Sequence, residues 1–144
     1  MAQPMIAQVG VQQLVPLLMV KNMDASLRFY VEGLGFSMTK KWTPEGRIRW
    51  CWLEHGTAAL MLQEFVSDSH HASPIPAQVG AGVGLNFICR DALAFYHAMR
   101  ERGIATQRPF VGNQMWVTSL RDPDGYSLHF ESPTDAPEET EYED

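Results

Sequence analysis

The sequence predicts an α+β fold built from two βαβββ modules, whose curved mixed sheets surround a concave cleft. One observation is the order of patterns, because a strand, a helix and three further strands follow one another twice along the chain. The other is an internal repeat, in which Leu27-Arg28-Phe29-Tyr30 recurs as Leu93-Ala94-Phe95-Tyr96 near the start of the second helix. Each copy is expected to supply a sheet with one helix-covered face and one open face.

The first module is predicted over residues 14–65. An apolar run at 14–20 indicates a largely buried strand, and Asn22 or Asp24 can cap the helix that follows at 25–32. Gly33 and Gly35 are predicted to end this helix, because glycine accepts the left-handed conformation common after a helix. The remaining strands are predicted at 36–43, 47–54 and 57–65, with turns at 44–46 and 55–56.

The second module is predicted over residues 83–131, after a linker at 66–82 that contains Ser, Pro, His and Gly without periodicity. Its first strand covers 83–89, and Asp91 caps a helix that runs to Arg102 and ends at Gly103. Strands are then predicted at 105–110, 114–121 and 126–131. The domain formed by the two modules is preceded by an N-terminal extension (1–13) and followed by an acidic C-terminal tail (132–144). His70 and His71 are assigned to a polar linker loop, because no pattern of carboxylates or thiols accompanies them.

Charge and composition exclude several classes of protein. The net charge is −6, with 17 acidic and 11 basic residues, but six of the acids lie in the last ten residues. The remaining body is formally neutral, which argues against a nucleic acid partner, and the tail is expected to be a solvated end. The sequence contains no run of about 18 apolar residues, so no membrane span is predicted. Cys51 and Cys89 lie in apolar runs, which favours free thiols and a cytoplasmic location.

Two sets of motifs carry a family resemblance. Phe29-Tyr30 with Leu34-Gly35-Phe36, and Asp122-Pro123-Asp124-Gly125-Tyr126, resemble the vicinal oxygen chelate superfamily, also called the glyoxalase, bleomycin-resistance protein and extradiol dioxygenase group. The resemblance spans residues 14–131. It implies paired βαβββ modules, commonly a homodimer, a cleft on the concave face of the sheet, and metal ligands on the first and fourth strands of each module.

The implied metal-ligand positions fall on Val15, Gln63 (or Met61 if the register shifts by two), Gly84 and His129. Independently, the alternation of the last strand places His129 on the polar face, which should line the cleft together with Asn86. Only His129 is a good ligand, with Gln63 a weak partner, whereas a stable divalent site needs about three protein ligands. No metal cofactor is therefore predicted, and zinc, nickel, iron or manganese would be the alternative.

Trp50 and Trp52 lie two residues apart and so share one strand face. Facing the cleft they would form a flat wall for an aromatic ligand, and facing the helices they would be core. The predicted ligand-binding set is therefore Trp50, Trp52, Met61, Gln63, Asn86, Trp116 and His129.

The leading functional hypothesis is a homodimer of the drug-resistance type that binds a small, partly aromatic ligand and lacks the full metal-ligand set. A second hypothesis is a metal-dependent glyoxalase-like lyase, isomerase or dioxygenase, with Glu131 as the candidate catalytic base and His129 and Gln63 as metal ligands. A third is an interaction protein whose acidic tail binds a partner. Arg47, Arg49 and Arg121 could hold an anionic ligand, although exposed arginines are more often simply surface residues.

Overall fold

The computed structural model describes residues 6–66 and 74–144, and its two four-stranded mixed sheets with two helices confirm the predicted fold class. Each half of the chain forms one sheet and one helix. His70 and His71 lie outside the described residues, so their assignment to a polar loop stays a prediction. In the described part of the chain, no helix is long and apolar enough to cross a membrane.

The first sheet has the strand order β1-β4-β3-β2, with β1 parallel to β4. Its elements are β1 (Leu17–Val20), α1 (Met23–Leu27) continued by a π-helical turn (Arg28–Gly33), β2 (Ser37–Trp42), β3 (Trp50–His55) and β4 (Ala58–Glu64). Of the two predicted caps, Asn22 begins the helix, because its side chain accepts a hydrogen bond from the Ala25 N–H at 3.0 Å.

The second sheet has the equivalent order β5-β8-β7-β6, with β5 parallel to β8. Its elements are β5 (Gly84–Ile88), α2 (Ala92–Glu101), β6 (Phe110–Gly112), β7 (Met115–Arg121) and β8 (Ser127–Pro133). Asp91 caps α2 as predicted, accepting hydrogen bonds from the Leu93 and Ala94 N–H groups. The strand predicted at 105–110 is wrong in position, because Pro109 has no N–H for the ladder and β6 begins after it.

The two modules correspond in their hydrogen bonding as well as in their order. Asn22 and Asp91 both cap a helix. In each module the backbone N–H of the residue after the cap donates to a side chain near the end of the fourth strand. Met23 N–H donates to the Glu64 carboxylate at 2.9 Å, and Ala92 N–H donates to the Ser132 hydroxyl at 2.8 Å. These bonds fix which residues of one module correspond to which of the other.

One hydrophobic core joins the modules through their helix-covered faces. Tyr30 of the first module donates its hydroxyl hydrogen to Asp122 of the β7–β8 turn at 2.7 Å. Tyr126 of the same turn donates to the Met19 carbonyl oxygen at 2.9 Å. The open faces of both sheets are thereby left for a ligand or a partner.

The acidic tail does not lie free in solvent as expected, because it runs antiparallel beside β6. Val111 N–H donates to the Thr140 carbonyl, and Tyr142 N–H donates to the Pro109 carbonyl, each at 2.9 Å. The Tyr142 ring lies 5.8 Å from the Trp116 ring, and its hydroxyl is 3.0 Å from His97 Nε2. The sequence did not predict this contact, because the six acidic residues of the tail indicate a solvated segment and its single tyrosine gives no signal of a docking partner.

Candidate functional site

The open face of the first sheet carries both neighbouring tryptophans. Trp50 pairs with Gln63 and Trp52 pairs with Met61 across β3 and β4, so the four side chains lie on one face. Cys51 lies between the tryptophans and is fully buried on the opposite, helix-covered face. We call Trp50, Trp52, Met61 and Gln63 the tryptophan face. The structure thus decides the alternative that the sequence left open.

Two charges border the tryptophan face. The Lys40 ammonium lies 4.8 Å from the centroid of the Trp52 ring, within the range of a cation–π contact. The Trp52 indole N–H donates to the Glu54 carboxylate at 2.8 Å. These contacts hold the Trp52 ring in one orientation while leaving the face partly exposed, which suits stacking against a flat ring.

The open face of the second sheet is polar. His129 pairs with Asn86 on β5 and with Ser119 on β7, and Glu131 follows two residues later on the same face of β8. The Ser119 hydroxyl lies 2.7 Å from His129 Nδ1, which fixes the orientation of the imidazole. We call Asn86, Ser119, His129 and Glu131 the histidine face. A hollow of about 350 Å³ beside it is lined by second-module residues, including Arg121 and Ser127.

The correspondence between the modules assigns the implied metal-ligand positions. Leu17 pairs with Met61 in the first sheet in the same way that Asn86 pairs with His129 in the second. Met61 rather than Gln63 is therefore the counterpart of His129. This corrects the predicted ligand role of Gln63, whose counterpart is Glu131.

Position 84 lies beside the histidine, as the resemblance implies for two ligands of one metal. A Cβ atom built on Gly84 would lie 3.6 Å from His129 Nε2, an ordinary contact distance. The four ligand positions are thus occupied by Val15, Met61, Gly84 and His129. Valine and glycine offer no coordinating side-chain atom, which leaves at most the Met61 thioether and the His129 imidazole. Two ligands fall short of the three that a stable divalent site needs, so these residues do not fit the divalent metal of the family. Within 6–66 and 74–144, no three His, Cys, Asp or Glu side chains cluster around a common point.

Trp116 is separated from the rest of the predicted ligand-binding set. It pairs with the buried Ser132, and side chains alternate along β7, so it lies on the helix-covered face while Ser119 lies on the open one. The ring is covered by Tyr142 of the tail. This placement differs from its predicted role, because alternation along β7 puts Trp116 on the face opposite to the one that carries Ser119 and His129.

Arg47 and Arg49 are engaged within the protein. Both guanidinium groups bind the buried Glu64 carboxylate, at 2.8 Å and 2.6 Å respectively, and Met23 N–H completes its coordination. Burial alone would raise the pKa of Glu64, but the hydrogen bonds from Arg47 and Met23 and the positive charges hold it below its usual value. This cluster fixes the end of β4, and with it the position of Gln63 and Met61.

Sequence reasoning missed Ser119 and the Glu64 cluster. Ser119 lies ten residues from His129, and no short motif links two residues that meet only through the register of β7 and β8. Glu64 ends an apolar strand pattern, where a lone acid is the available signal for a buried carboxylate with cationic partners.

Comparisons with known proteins agree with this geometry. The family model of the Glyoxalase/Bleomycin resistance protein/Dioxygenase superfamily matches residues 10–130. Among curated protein sequences, none matches the chain.

Solved structures with the same fold include three of different description. TnmS3, an antibiotic binding protein from Streptomyces sp., is 20% identical with a TM-score of 0.66, covering 87% of this chain and 98% of its own. A lactoylglutathione lyase from Agrobacterium tumefaciens is 18% identical with a TM-score of 0.64, covering 85% and 95%. A glyoxalase/bleomycin resistance protein/dioxygenase from Nocardioides is 15% identical with a TM-score of 0.66, covering 95% of each chain. At these identities the likeness shows the fold alone.

Proposed function

This chain belongs to the glyoxalase/bleomycin resistance protein/dioxygenase superfamily, and from that premise we propose that it binds a small, partly aromatic molecule without a metal ion. The observation that carries the proposal is the occupancy of the four ligand positions, where Val15, Met61 and Gly84 replace coordinating side chains. His129 is left to act as a hydrogen-bonding group, with Nδ1 held by Ser119. Neither Val15 nor Gly84 can be converted into a ligand by a change of side-chain rotamer.

The tryptophan face supports an aromatic ligand. Trp50 and Trp52 expose parts of two rings on adjacent positions of one face, next to Met61. Aromatic rings gain on the order of 1 kcal/mol from a well-placed ring partner in addition to the area they bury. Lys40 and Glu54 at the border favour a ligand that carries a polar or charged substituent. The description of TnmS3 as an antibiotic binding protein is consistent with this use of the fold.

We further propose a homodimer in which a second copy completes the cleft. The hollow beside His129 contains no residue of the tryptophan face, so the single chain does not enclose a ligand between its two open faces there. The edge strand of the first sheet also exposes an apolar side chain, since Leu17 of β1 is 47% exposed. A partner module laid over β1 would bury it and bring a second open face to the ligand. Sedimentation equilibrium gives twice the chain mass if the proposal holds and the chain mass if it fails.

The experiment that tests ligand binding uses tryptophan emission of the metal-free protein. A panel of an anionic naphthalenesulfonate, a cationic acridine and a neutral coumarin is titrated into protein treated with a chelator. Saturable quenching by at least one dye, weakened in Trp52→Leu, supports the proposal. The matched control is Trp116→Phe, which removes a tryptophan from the other face and should leave the dissociation constant unchanged.

The enzymatic alternative retains one favourable observation, since Glu131 lies on the same face as His129 and could serve as a base. In that case turnover of a glutathione hemithioacetal or a catechol would rise when zinc, nickel, iron or manganese is added. It would be lost in His129→Ala. Such a result would contradict metal-free binding as the function of this chain.

Two lesser expectations have structural support. The free thiols of Cys51 and Cys89 support the proposed cytoplasmic location, because thiols stay reduced in that compartment. The docked tail supports an intramolecular role for residues 139–142 in place of capture of a partner.

A further inference from the structure

A cavity of about 640 Å³ lies at the seam between the modules, away from the tryptophan face. Its walls are the β3–β4 turn at residues 55–58, the end of β5 at residues 86–90, and the rings of Phe36 and Phe130. Phe36 and Phe87 meet edge to face at 6.0 Å between ring centroids. The rings of Phe36, Phe87 and Phe130 thus contribute an aromatic part of the wall. Asn86 is the one described lining residue that belongs to the predicted ligand-binding set.

The correspondence between the modules explains why this space exists. The turn at 55–58 is the counterpart of the longer turn at 122–126, because His55 pairs with Ala58 as Asp122 pairs with Tyr126. In the second module the space is filled, since Tyr126 is only 5% exposed. In the first module its counterpart is Ala58, whose side chain is a single methyl group.

The filled turn shows which groups this space accepts. The Tyr126 hydroxyl donates to the Met19 carbonyl oxygen at 2.9 Å. Two residues further along the same edge, Lys21 N–H donates to the Asp124 carboxylate at 3.1 Å. The Tyr126 phenol and the Asp124 carboxylate are thus hydrogen-bonded to two nearby backbone groups at the end of β1.

The empty counterpart presents the same backbone groups. Met19 and Lys21 correspond to Ile88 and Arg90, because the caps Asn22 and Asp91 are separated by the same 69 residues. Cys89 N–H donates to the Glu131 carbonyl on β8, so the neighbouring Ile88 C=O points the other way, out of the sheet edge. The Arg90 N–H is the counterpart of the Lys21 N–H, which donates to Asp124. Gly56 and Thr57 stand where Asp124 lies in the second module, and they bring no carboxylate.

Among the described residues that line the cavity, Arg90 carries a formal positive charge. The other ionisable groups there are the His55 imidazole and the Cys89 thiol, and none of these described lining residues is Asp or Glu. Within the described residues, no salt bridge engages the Arg90 guanidinium. The carboxylate of the neighbouring Asp91 is already used to cap α2.

We propose that this cavity is a second binding site, which takes a small hydroxylated aromatic carboxylate. The ring occupies the space that Tyr126 fills in the other module, and the hydroxyl donates to the Ile88 carbonyl oxygen. The carboxylate accepts from the Arg90 N–H and pairs with its guanidinium. The ligand thus supplies the groups that the shorter turn lacks.

The test is calorimetric titration of 3-hydroxybenzoate into the full chain. Two matched probes separate the recognised groups: 3-hydroxybenzamide removes the charge and benzoate removes the donor. We expect 3-hydroxybenzoate to bind roughly tenfold more tightly than either, because each lost group leaves a polar backbone group without its partner. Arg90→Gln should weaken binding by roughly tenfold as well, since it removes a charge-assisted contact. Arg108→Gln, another exposed arginine, should not change it.

A second variant tests the space itself. Ala58→Tyr places in the first module the residue that the second module carries, so it should abolish binding while keeping or raising the melting temperature. Absence of saturable binding to the unmodified protein, or equal affinity for the acid and the amide, would overturn the proposal. Loss of binding in Trp52→Leu would also overturn it, because the acid would then lie on the tryptophan face.

Discussion

Replacement of Glu64 by Gln should destabilise the protein at neutral pH. Glu64 is 2% exposed and accepts hydrogen bonds from Arg47, Arg49 and the Met23 N–H, at distances between 2.6 and 3.0 Å. The amide keeps one acceptor but removes the charge that the two arginines neutralise. In the variant the positive charges of Arg47 and Arg49 therefore lie beside a buried neutral amide, with no negative charge to balance them.

The magnitude follows from the exposure of the partners. Removing one member of a fully buried ion pair costs about 3–5 kcal/mol. Here the side chains of Arg47 and Arg49 are 61% and 32% exposed, so water recovers part of that loss. We expect a loss of about 2–3 kcal/mol, which corresponds to a fall of about 6–12 °C in melting temperature for a domain of this size.

The effect should depend on pH in a defined direction. Because the pKa of Glu64 is lower in the folded protein than in the unfolded chain, the folded state binds its proton less readily. Its contribution to stability is complete above the ordinary glutamate pKa and is lost as the pH falls through the lowered value. The difference between the parent protein and Glu64→Gln should therefore shrink as the pH falls from 7 towards 3.

Thermal unfolding followed by circular dichroism measures this, with Glu32→Gln as the matched control. Glu32 is an exposed acid of the helical turn that follows α1, so its replacement should leave the melting temperature nearly unchanged. A melting temperature of Glu64→Gln within 2 °C of the parent, or a difference that does not change with pH, would refute the reasoning.

Three further predictions concern the site and the tail. The double variant Gly84→His/Asn86→His should create binding of zinc or nickel that the parent lacks, because it places two further imidazoles beside His129 on one face of the sheet; calorimetry that finds no metal binding would contradict the placement of residue 84 beside His129. Deletion of residues 135–144 should uncover Trp116 and shift its emission to longer wavelength, and unchanged emission would show that Tyr142 does not cover it. Cys51, whose pKa burial raises to about 11, should react with a thiol reagent only on unfolding, and rapid labelling of the native protein would be the opposite result.

The order of elements could be predicted from the sequence because each depends on local patterns. Asp91 and Gly103 bracket a helix in any context, and the alternation of Tyr126, Leu128 and Phe130 fixes the face of His129. These signals need no knowledge of which strand pairs with which. Accordingly β5, α2, β7 and β8 lie close to their predicted ranges.

The remainder of the site depends on contacts between distant residues. Alternation placed Trp50 and Trp52 on one face but could not choose which face, because Cys51 between them and Leu53 after them are apolar too. Register decided between Gln63 and Met61, and register is visible only once β1 has paired with β4.

The proposed binding of an aromatic ligand without a metal ion can be tested by measuring metal content and dye binding on one sample, before and after treatment with a chelator. We predict less than stoichiometric zinc, nickel, iron and manganese, and the same dissociation constant in both states. A metal retained at one per chain, lost in His129→Ala and required for dye binding would contradict the account.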